Sequence, residues 1–152
     1  MAKAKNFKLQ NQDGEWIRLS DFDGMVRVVY FYPKAMTPGC TKQACGLRDS
    51  KMKLARREVK VFGLSADSVE RLKKFTDKEK LNFDLLSDPD FAVAKAYESY
   101  GPKVFMGKKY DGILRKTYII DGKGNLVHIM EKVNTATHHD DVLAWIDTNL
   151  PK

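Results

Sequence analysis

The sequence predicts an α/β protein in which a mixed central sheet is flanked by helices and preceded by an N-terminal β-hairpin extension. Three observations carry this. Val26 to Tyr32 is a β-branched and aromatic run, the composition of a strand buried on both faces. Strand and helix signals alternate after it, and such units connect by right-handed crossovers into a parallel layer. Turns rich in Asp and Gly near both ends of the chain mark antiparallel hairpins. The 152 residues fit one domain, 1–152. A domain of that size can bury roughly 68–70% of the surface its unfolded chain exposes, so it needs no metal or disulfide staple to fold.

The elements follow in order. Phe7 to Gln10 and Glu15 to Leu19 flank Asn11-Gln12-Asp13-Gly14 and read as the first hairpin. Ser20 to Gly24 is a turn or short helical connector, and Pro33 ends the Val26–Tyr32 strand. One helix is predicted from Thr37 to about Arg57. Thr37 is a good N-cap, and Pro38 falls at the first helical position, where its missing N–H is not needed. Ala44, Leu47, Leu54 and Ala55 recur at helical spacing and would face a core. Val59 to Leu64 is a second strand. Val69, Leu72 and Phe75 mark a second helix capped by Asp67 or Ser68. Phe83 to Leu86 is a short strand stopped by Asp88-Pro89, and Phe91 to Tyr97 a short helix. Irregular chain is expected from Ser99 to about Ile113. Leu114 to Ile120 and Leu126 to Glu131 form a second hairpin across Asp121-Gly122-Lys123-Gly124. Thr137 opens the last helix, with Asp140 as an acidic variant of the capping box and Val142, Trp145, Ile146 and Leu150 as its apolar face.

Composition narrows the function classes. Hydrophobic residues make up 43% and charged residues 31%, far from disordered or collagen-like chains. No apolar run approaches the ~18 residues of a membrane span, so no membrane partner is expected. Met1 to Asn6 is positive but leads into no apolar h-region; export is not expected, and the predicted location is cytoplasmic. Lys and Arg total 27 against 20 Asp and Glu, a net charge of +7 that favours acidic partners without specifying any. Cys40 and Cys45 are too few for a secreted disulfide scaffold and read first as redox or metal chemistry.

Cys40 falls in the first turn of the helix that follows the central strand. Amides there lack intrahelical partners and the macrodipole adds partial positive charge, which together favour a thiolate. Thr37 can accept the Cys40 N–H as a cap, and its hydroxyl could also contact a bound substrate. The bland alternative is that Cys40 is a small buried hydrophobe. Cys45 lies five positions on, and an ideal helix puts the two Cα atoms roughly 8.6 Å apart. A disulfide needs backbone movement beyond ~7 Å, so a bond between them requires the helix to unwind locally. Gly46 could permit this, or could simply allow close helix packing.

Tyr32-Pro33-Lys34-Ala35-Met36-Thr37-Pro38-Gly39-Cys40-Thr41-Lys42-Gln43-Ala44-Cys45 resembles the active-site segment of Q-type peroxiredoxins, the bacterioferritin-comigratory group. The family pattern Pro-x-x-x-Thr-x-x-Cys is met by Pro33, Thr37 and Cys40. The likeness continues through Gly46 to Asp49, Leu85 to Asp88, Phe105 to Lys108 and Tyr110 to Ile113. It implies a thioredoxin-like fold with a peroxiredoxin N-terminal extension. It implies further that Cys40 is the peroxidatic nucleophile, attacking hydrogen peroxide or an organic hydroperoxide and becoming a sulfenic acid. Cys45 matches the resolving cysteine, forming an intramolecular redox-active disulfide with Cys40 that thioredoxin or a similar dithiol reductant would reset. Arg115 matches the family's active-site arginine; by its residue type alone it reads as a solvated charge at a strand end. No cofactor and no nucleic-acid partner are implied, and a monomer is expected rather than a dimer.

Other residues carry weaker signals. Lys53, Arg56, Arg57 and Lys60 could form one basic stripe, either solvated or docking an acidic reductase or polyanion. His128, His138 and His139 lack the ligand spacing of a zinc site. Trp16 and Trp145 read as core or packing anchors. Phe31, Met36, Phe105 and Met106 could line an apolar approach to Cys40 or simply pack the core. Two rival functions remain open. A general thiol–disulfide oxidoreductase would want a Cys-x-x-Cys that the chain lacks, and a polyanion-binding module leaves the Thr37–Cys40 arrangement unexplained.

Overall fold

In a computed structural model, residues 3–150 are described, apart from the side chain of Phe105. Residues 1–2 and 151–152 of the predicted domain lie outside that range. β1 (Lys8–Asn11) and β2 (Trp16–Arg18) form the expected first hairpin, with Leu9 opposite Ile17. Gly14 takes a positive φ of 77° in its turn, and Asn11 Oδ1 organises the loop by accepting from the N–H groups of Asp13 and Glu15. A 3-10 turn (Leu19–Phe22) leads to β3 (Val26–Phe31). Then come α1 (Pro38–Asp49), α2 (Lys51–Arg56), β4 (Val59–Ser65), α3 (Val69–Glu79), β5 (Asp84–Ser87) and α4 (Ala92–Ala96). β6 (Tyr100–Phe105), β7 (Lys108–Ile113), β8 (Thr117–Ile120), β9 (Leu126–Met130) and α5 (His138–Asn149) complete the order.

The main sheet has the order β2-β1-β5-β4-β3-β8-β9. β3, β4 and β5 are parallel, as the strand–helix alternation requires, and β1 and β8 join them antiparallel. Alternate residues of β3 enter different cores. Val28 and Tyr30, with Tyr32 just past the strand, pack with α1, α3 and α5 on one face, and Val29 and Phe31 with the N-terminal extension and α4 on the other. Gly63 on β4 makes room for the central ring: a Cβ there would lie 2.7 Å from the Tyr30 hydroxyl. Arg27 is buried in the same strand because the carbonyls of Leu19, Met25 and Asp121 and the Asp23 carboxylate all accept from its guanidinium.

Several expectations are corrected. The predicted helix from Thr37 to Arg57 is two helices that meet at Ser50. The Ser50 N–H is shared between the Gly46 and Leu47 carbonyls, each at 3.2 Å, which tightens the turn where α1 ends, and Ala55 faces solvent. The segment expected to be irregular from Ser99 to Ile113 is a two-stranded hairpin, β6–β7, turning on Met106 and Gly107 at φ 51° and 79°. β8 begins at Thr117 rather than Leu114, because the Leu114 N–H is drawn to the Ser99 carbonyl at 2.7 Å. Arg115 therefore sits in the link between β7 and β8, not on a strand. At the last helix the Thr137 hydroxyl donates to Asp141 Oδ2 at 2.8 Å, in place of a capping box with Asp140.

Candidate active site

β3 delivers the chain to the C-terminal edge of the parallel strands, and a short loop from Tyr32 to Thr37 turns it into α1. That loop is held from below. The Ala35 N–H donates to Asp67 Oδ2 at 2.8 Å, and Arg71 Nη2 donates to the Ala35 carbonyl at 3.0 Å. Asp67 and Arg71 pair at 3.0 Å, and Ser65 Oγ donates to the same carboxylate at 2.7 Å. Met36, next in the loop, takes a left-handed φ of 65°, a conformation that persists because its neighbour is clamped on both sides. Pro33 lies in this loop, exposed.

Cys40 follows in the first turn of α1, 2% exposed and part of the core around Tyr30. Arg115 Nη2 reaches its Sγ at 3.3 Å. The second guanidinium nitrogen donates to Gln43 Oε1 at 2.6 Å, and Gln43 is itself fully buried one turn along α1. The cation is thus fixed on the sulfur by a partner on the sulfur's own helix. Lys103 is held nearby through the Ile113 carbonyl at 2.8 Å, and burial pushes its ammonium down, with Arg115 adding to the effect. Thr37 does not cap the Cys40 N–H as expected. Its hydroxyl donates to the Lys34 carbonyl at 2.8 Å, and only its backbone carbonyl serves α1, accepting from Thr41.

Cys45 occupies the far side of α1. Both cysteines are free thiols in a helical α1. Cys45 Sγ donates to Glu79 Oε1 at 3.6 Å; burial pushes its thiol up, Arg48 opposes this, and the Glu79 carboxylate adds to it. Beside it Gly46 packs directly under His139, where an added Cβ would lie 2.3 Å from Nδ1. Of the two readings of Gly46, close packing is therefore present in the folded helix.

The remaining candidates separate. Phe31 is core, fully buried on the opposite face of the sheet, while Met36 packs beside the Cys40 core. Met106 is exposed at the hairpin turn, and the Phe105 side chain lies outside the described residues. The basic stripe is not one surface: Lys60 is on β4 paired with Asp84 at 2.9 Å, and Arg57 is paired with Asp147. Trp16 is 58% exposed beneath Lys8, contrary to the packing role expected, whereas Trp145 stacks on His128. His138 is buried, its Nε2 2.8 Å from the Thr117 hydroxyl, and desolvation pushes it down to about 4. Gln43, Arg71 and Glu79 carry no separate signal in the sequence, and Asp67 reads there only as a candidate helix cap. Their roles rest on contacts across 31 or more positions, though the place of Gln43 one turn after Cys40 was visible.

A thiol presented at a helix start beneath a fixed guanidinium suits attack on an electrophile whose leaving group gathers negative charge. The AhpC/TSA family model matches residues 1–129, and the chain belongs to that family. It is a peroxiredoxin, a thiol-dependent peroxidase. Its sequence is similar to Peroxiredoxin Bcp of Escherichia coli K12, 51% identical over 143 residues that cover 94% of this chain and 92% of that protein. Among solved structures it is similar to Peroxiredoxin Q of Xanthomonas campestris (TM-score 0.89, 33% identity, 94% of this chain and 90% of that one). It is also similar to a cysteine-to-serine mutant of Xylella fastidiosa PrxQ (TM-score 0.91, 25% identity, 99% and 98%). A third is the bacterioferritin comigratory protein of Xanthomonas campestris, solved in trapped intermediate and ligand complexes bearing on alkyl peroxide reduction (TM-score 0.88, 32% identity, 93% and 90%). The fold is accordingly thioredoxin-like, and membership implies a peroxide substrate and a thioredoxin-type reductant. Among the described residues no helix is long and apolar enough to cross a membrane.

Proposed function

We propose that the chain reduces hydrogen peroxide and organic hydroperoxides through Cys40, with Cys45 resolving the product as an intramolecular disulfide that thioredoxin reduces. The observation that carries this is the 3.3 Å contact from Arg115 Nη2 to Cys40 Sγ at the start of α1. The Cys40 thiolate attacks the terminal oxygen of the hydroperoxide, the O–O bond breaks, and the departing oxygen leaves as water or an alcohol after taking a proton. Cys40 keeps one oxygen as sulfenic acid. Arg115 holds the anionic sulfur and donates to the oxygen on which charge develops, while Gln43 keeps the guanidinium from turning away. With its own proton given to Lys34, the Thr37 hydroxyl has lone pairs to accept from the peroxide O–H. Pro33 fixes the backbone φ of the loop that leads from β3 to Cys40. Cys45 then displaces the hydroxyl from the Cys40 sulfur and water leaves, before a second peroxide can carry Cys40 to sulfinic acid.

The same reading takes 1–152 as one domain acting as a monomer in the cytoplasm, with no nucleic-acid partner. Peroxide consumption driven by dithiothreitol is the test. Cys40→Ser should abolish it, while Cys45→Ser should complete one turnover and then stall with thioredoxin and over-oxidise readily. After one equivalent of peroxide, intact mass should show the loss of two hydrogens, mapped to a Cys40–Cys45 link. Wild-type thioredoxin-coupled turnover in Cys45→Ser would remove Cys45 from the mechanism.

A further inference from the structure

We infer that Glu79 is a positioning residue for the resolving step: at the C-terminal end of α3 its carboxylate holds the Cys45 thiol in folded α1 and so sets how readily the helix opens for the two sulfurs to meet. This rests on the assignment of Cys45 as the resolving thiol and identifies what restrains it.

The end of α3 is built against the second half of α1. Lys80 takes a left-handed φ of 52°, which stops α3 and turns the chain. Three ties result: Cys45 Sγ donates to Glu79 Oε1 at 3.6 Å, Arg48 Nη1 to the Glu79 carbonyl at 2.5 Å, and Asn82 Nδ2 to the Arg48 carbonyl at 3.1 Å. His139 of α5 covers the adjacent Gly46. Cys45 and Gly46 are thus gripped by α3 and α5 together.

Cysteines five apart in a helix cannot bond without the helix opening. A contact made only in the folded helix lowers the open fraction by its own free energy. The thiol–carboxylate bond is such a contact. It also opposes loss of the Cys45 proton, because a negative charge beside the sulfur disfavours the thiolate that must attack. In the resolving step the deprotonated Cys45 sulfur bonds to the Cys40 sulfur and the S–O bond of the sulfenic acid breaks. The departing hydroxide combines with a proton to give water, so no further oxidant is consumed. Glu79 takes no part in these bond changes. It acts before them, on the equilibrium that admits Cys45 to the reaction.

The test uses the full chain with Glu79→Ala and Glu79→Gln. After a single equivalent of peroxide, reactions quenched at intervals and resolved by mass give the rate at which Cys40 sulfenic acid becomes disulfide. Losing one such hydrogen bond should speed that rate about fivefold in Glu79→Ala. Over-oxidation should then require correspondingly more peroxide. Glu79→Gln, which keeps an acceptor oxygen and loses the charge, should fall between. In a Cys40→Ser background, alkylation of Cys45 by iodoacetamide should accelerate in the same order, a readout that needs no peroxide chemistry. An unchanged or slower disulfide rate together with unchanged Cys45 alkylation would overturn the inference. Failure of the underlying assignment looks different: Cys45→Ser would then recycle normally, whatever Glu79 does to alkylation.

Discussion

Gln43→Leu separates the two things Gln43 does. Its Oε1 accepts from Arg115 Nη1 at 2.6 Å, while its Nε2 is buried and finds no partner among the described residues. A hydrogen bond to a charged group is worth about 1.5–3 kcal/mol, and an unsatisfied buried donor costs about 1–3 kcal/mol. Leucine removes both at similar volume, so the folding free energy should barely change. The guanidinium, however, loses the anchor that keeps Nη2 on Cys40 Sγ. If the lost bond is felt fully in the transition state, kcat/KM for peroxide should fall about tenfold to a hundredfold. The assay is initial peroxide consumption by the reduced enzyme over a range of peroxide concentrations, with a urea titration of the same preparation. A variant that keeps wild-type kcat/KM would refute the idea that Arg115 is held in place through Gln43. A variant that loses activity only in proportion to unfolded protein would refute it equally.

Two further outcomes concern packing and pH. Gly46→Ala should destabilise the protein by about 1–2 kcal/mol, since overpacking against the His139 ring outweighs the better helix propensity of alanine. Adding His139→Ala should restore the loss in a urea titration, and an undiminished single variant would show that the ring is easily displaced. His138 is pushed from its ordinary 6.5 down to about 4 by burial, so between those pH values the unfolded chain binds more protons than the native one. Its contribution is complete above about pH 6.5 and is lost as the pH falls through about 4, on the order of 3 kcal/mol in all. His138→Gln should flatten that limb of the stability–pH curve; an identical slope would assign the acid sensitivity to other groups.

What could be read in advance was local. β3 announces itself because consecutive Val, Tyr and Phe residues supply both faces of a buried strand, and Cys40 because strand, proline and helix start lie within a few positions of it. The β6–β7 hairpin was hidden for a physical reason. It stands off the main sheet, and its apolar residues Val104 and Met106 face solvent rather than a core. Its turn is made by Met106 and Gly107 rather than by Asn-Gly. The break at Ser50 was equally hidden, because the apolar spacing of Leu47 and Leu54 runs through it. Thr37 shows the limit of cap rules: its residue type fits an N-cap, but a carbonyl three residues back took the proton. The clamps at Asp67, Arg71 and Glu79 depend on where α3 lands against the Cys40 loop and α1, which follows from the crossover geometry and from no spacing along the chain.

That geometry assigns different anchors to the two ends of α1. At its start the Cys40 sulfur is tied through Arg115 and Gln43, and the loop before it through Asp67 and Arg71. None of those four bonds to Cys45 or Gly46. Beyond Gln43 the ties change: Glu79, Asn82 and His139 take over, and Ser50 has already broken the register with α2. Opening the middle of α1 therefore need not disturb the Ala35 clamp, because that clamp lies on β4, α3 and the loop. It must, however, loosen Gln43, since Gln43 lies between the two cysteines. On the mechanism proposed above, the unwinding that brings Cys45 to Cys40 also withdraws the partner of Arg115. The site that binds peroxide and the arrangement that forms the disulfide are then mutually exclusive, and a second peroxide cannot be attacked while the first is being resolved. Gln43→Leu should consequently slow the peroxide step without slowing disulfide formation. Slowing of both steps by the same factor would show that the two ends of α1 are not separately anchored.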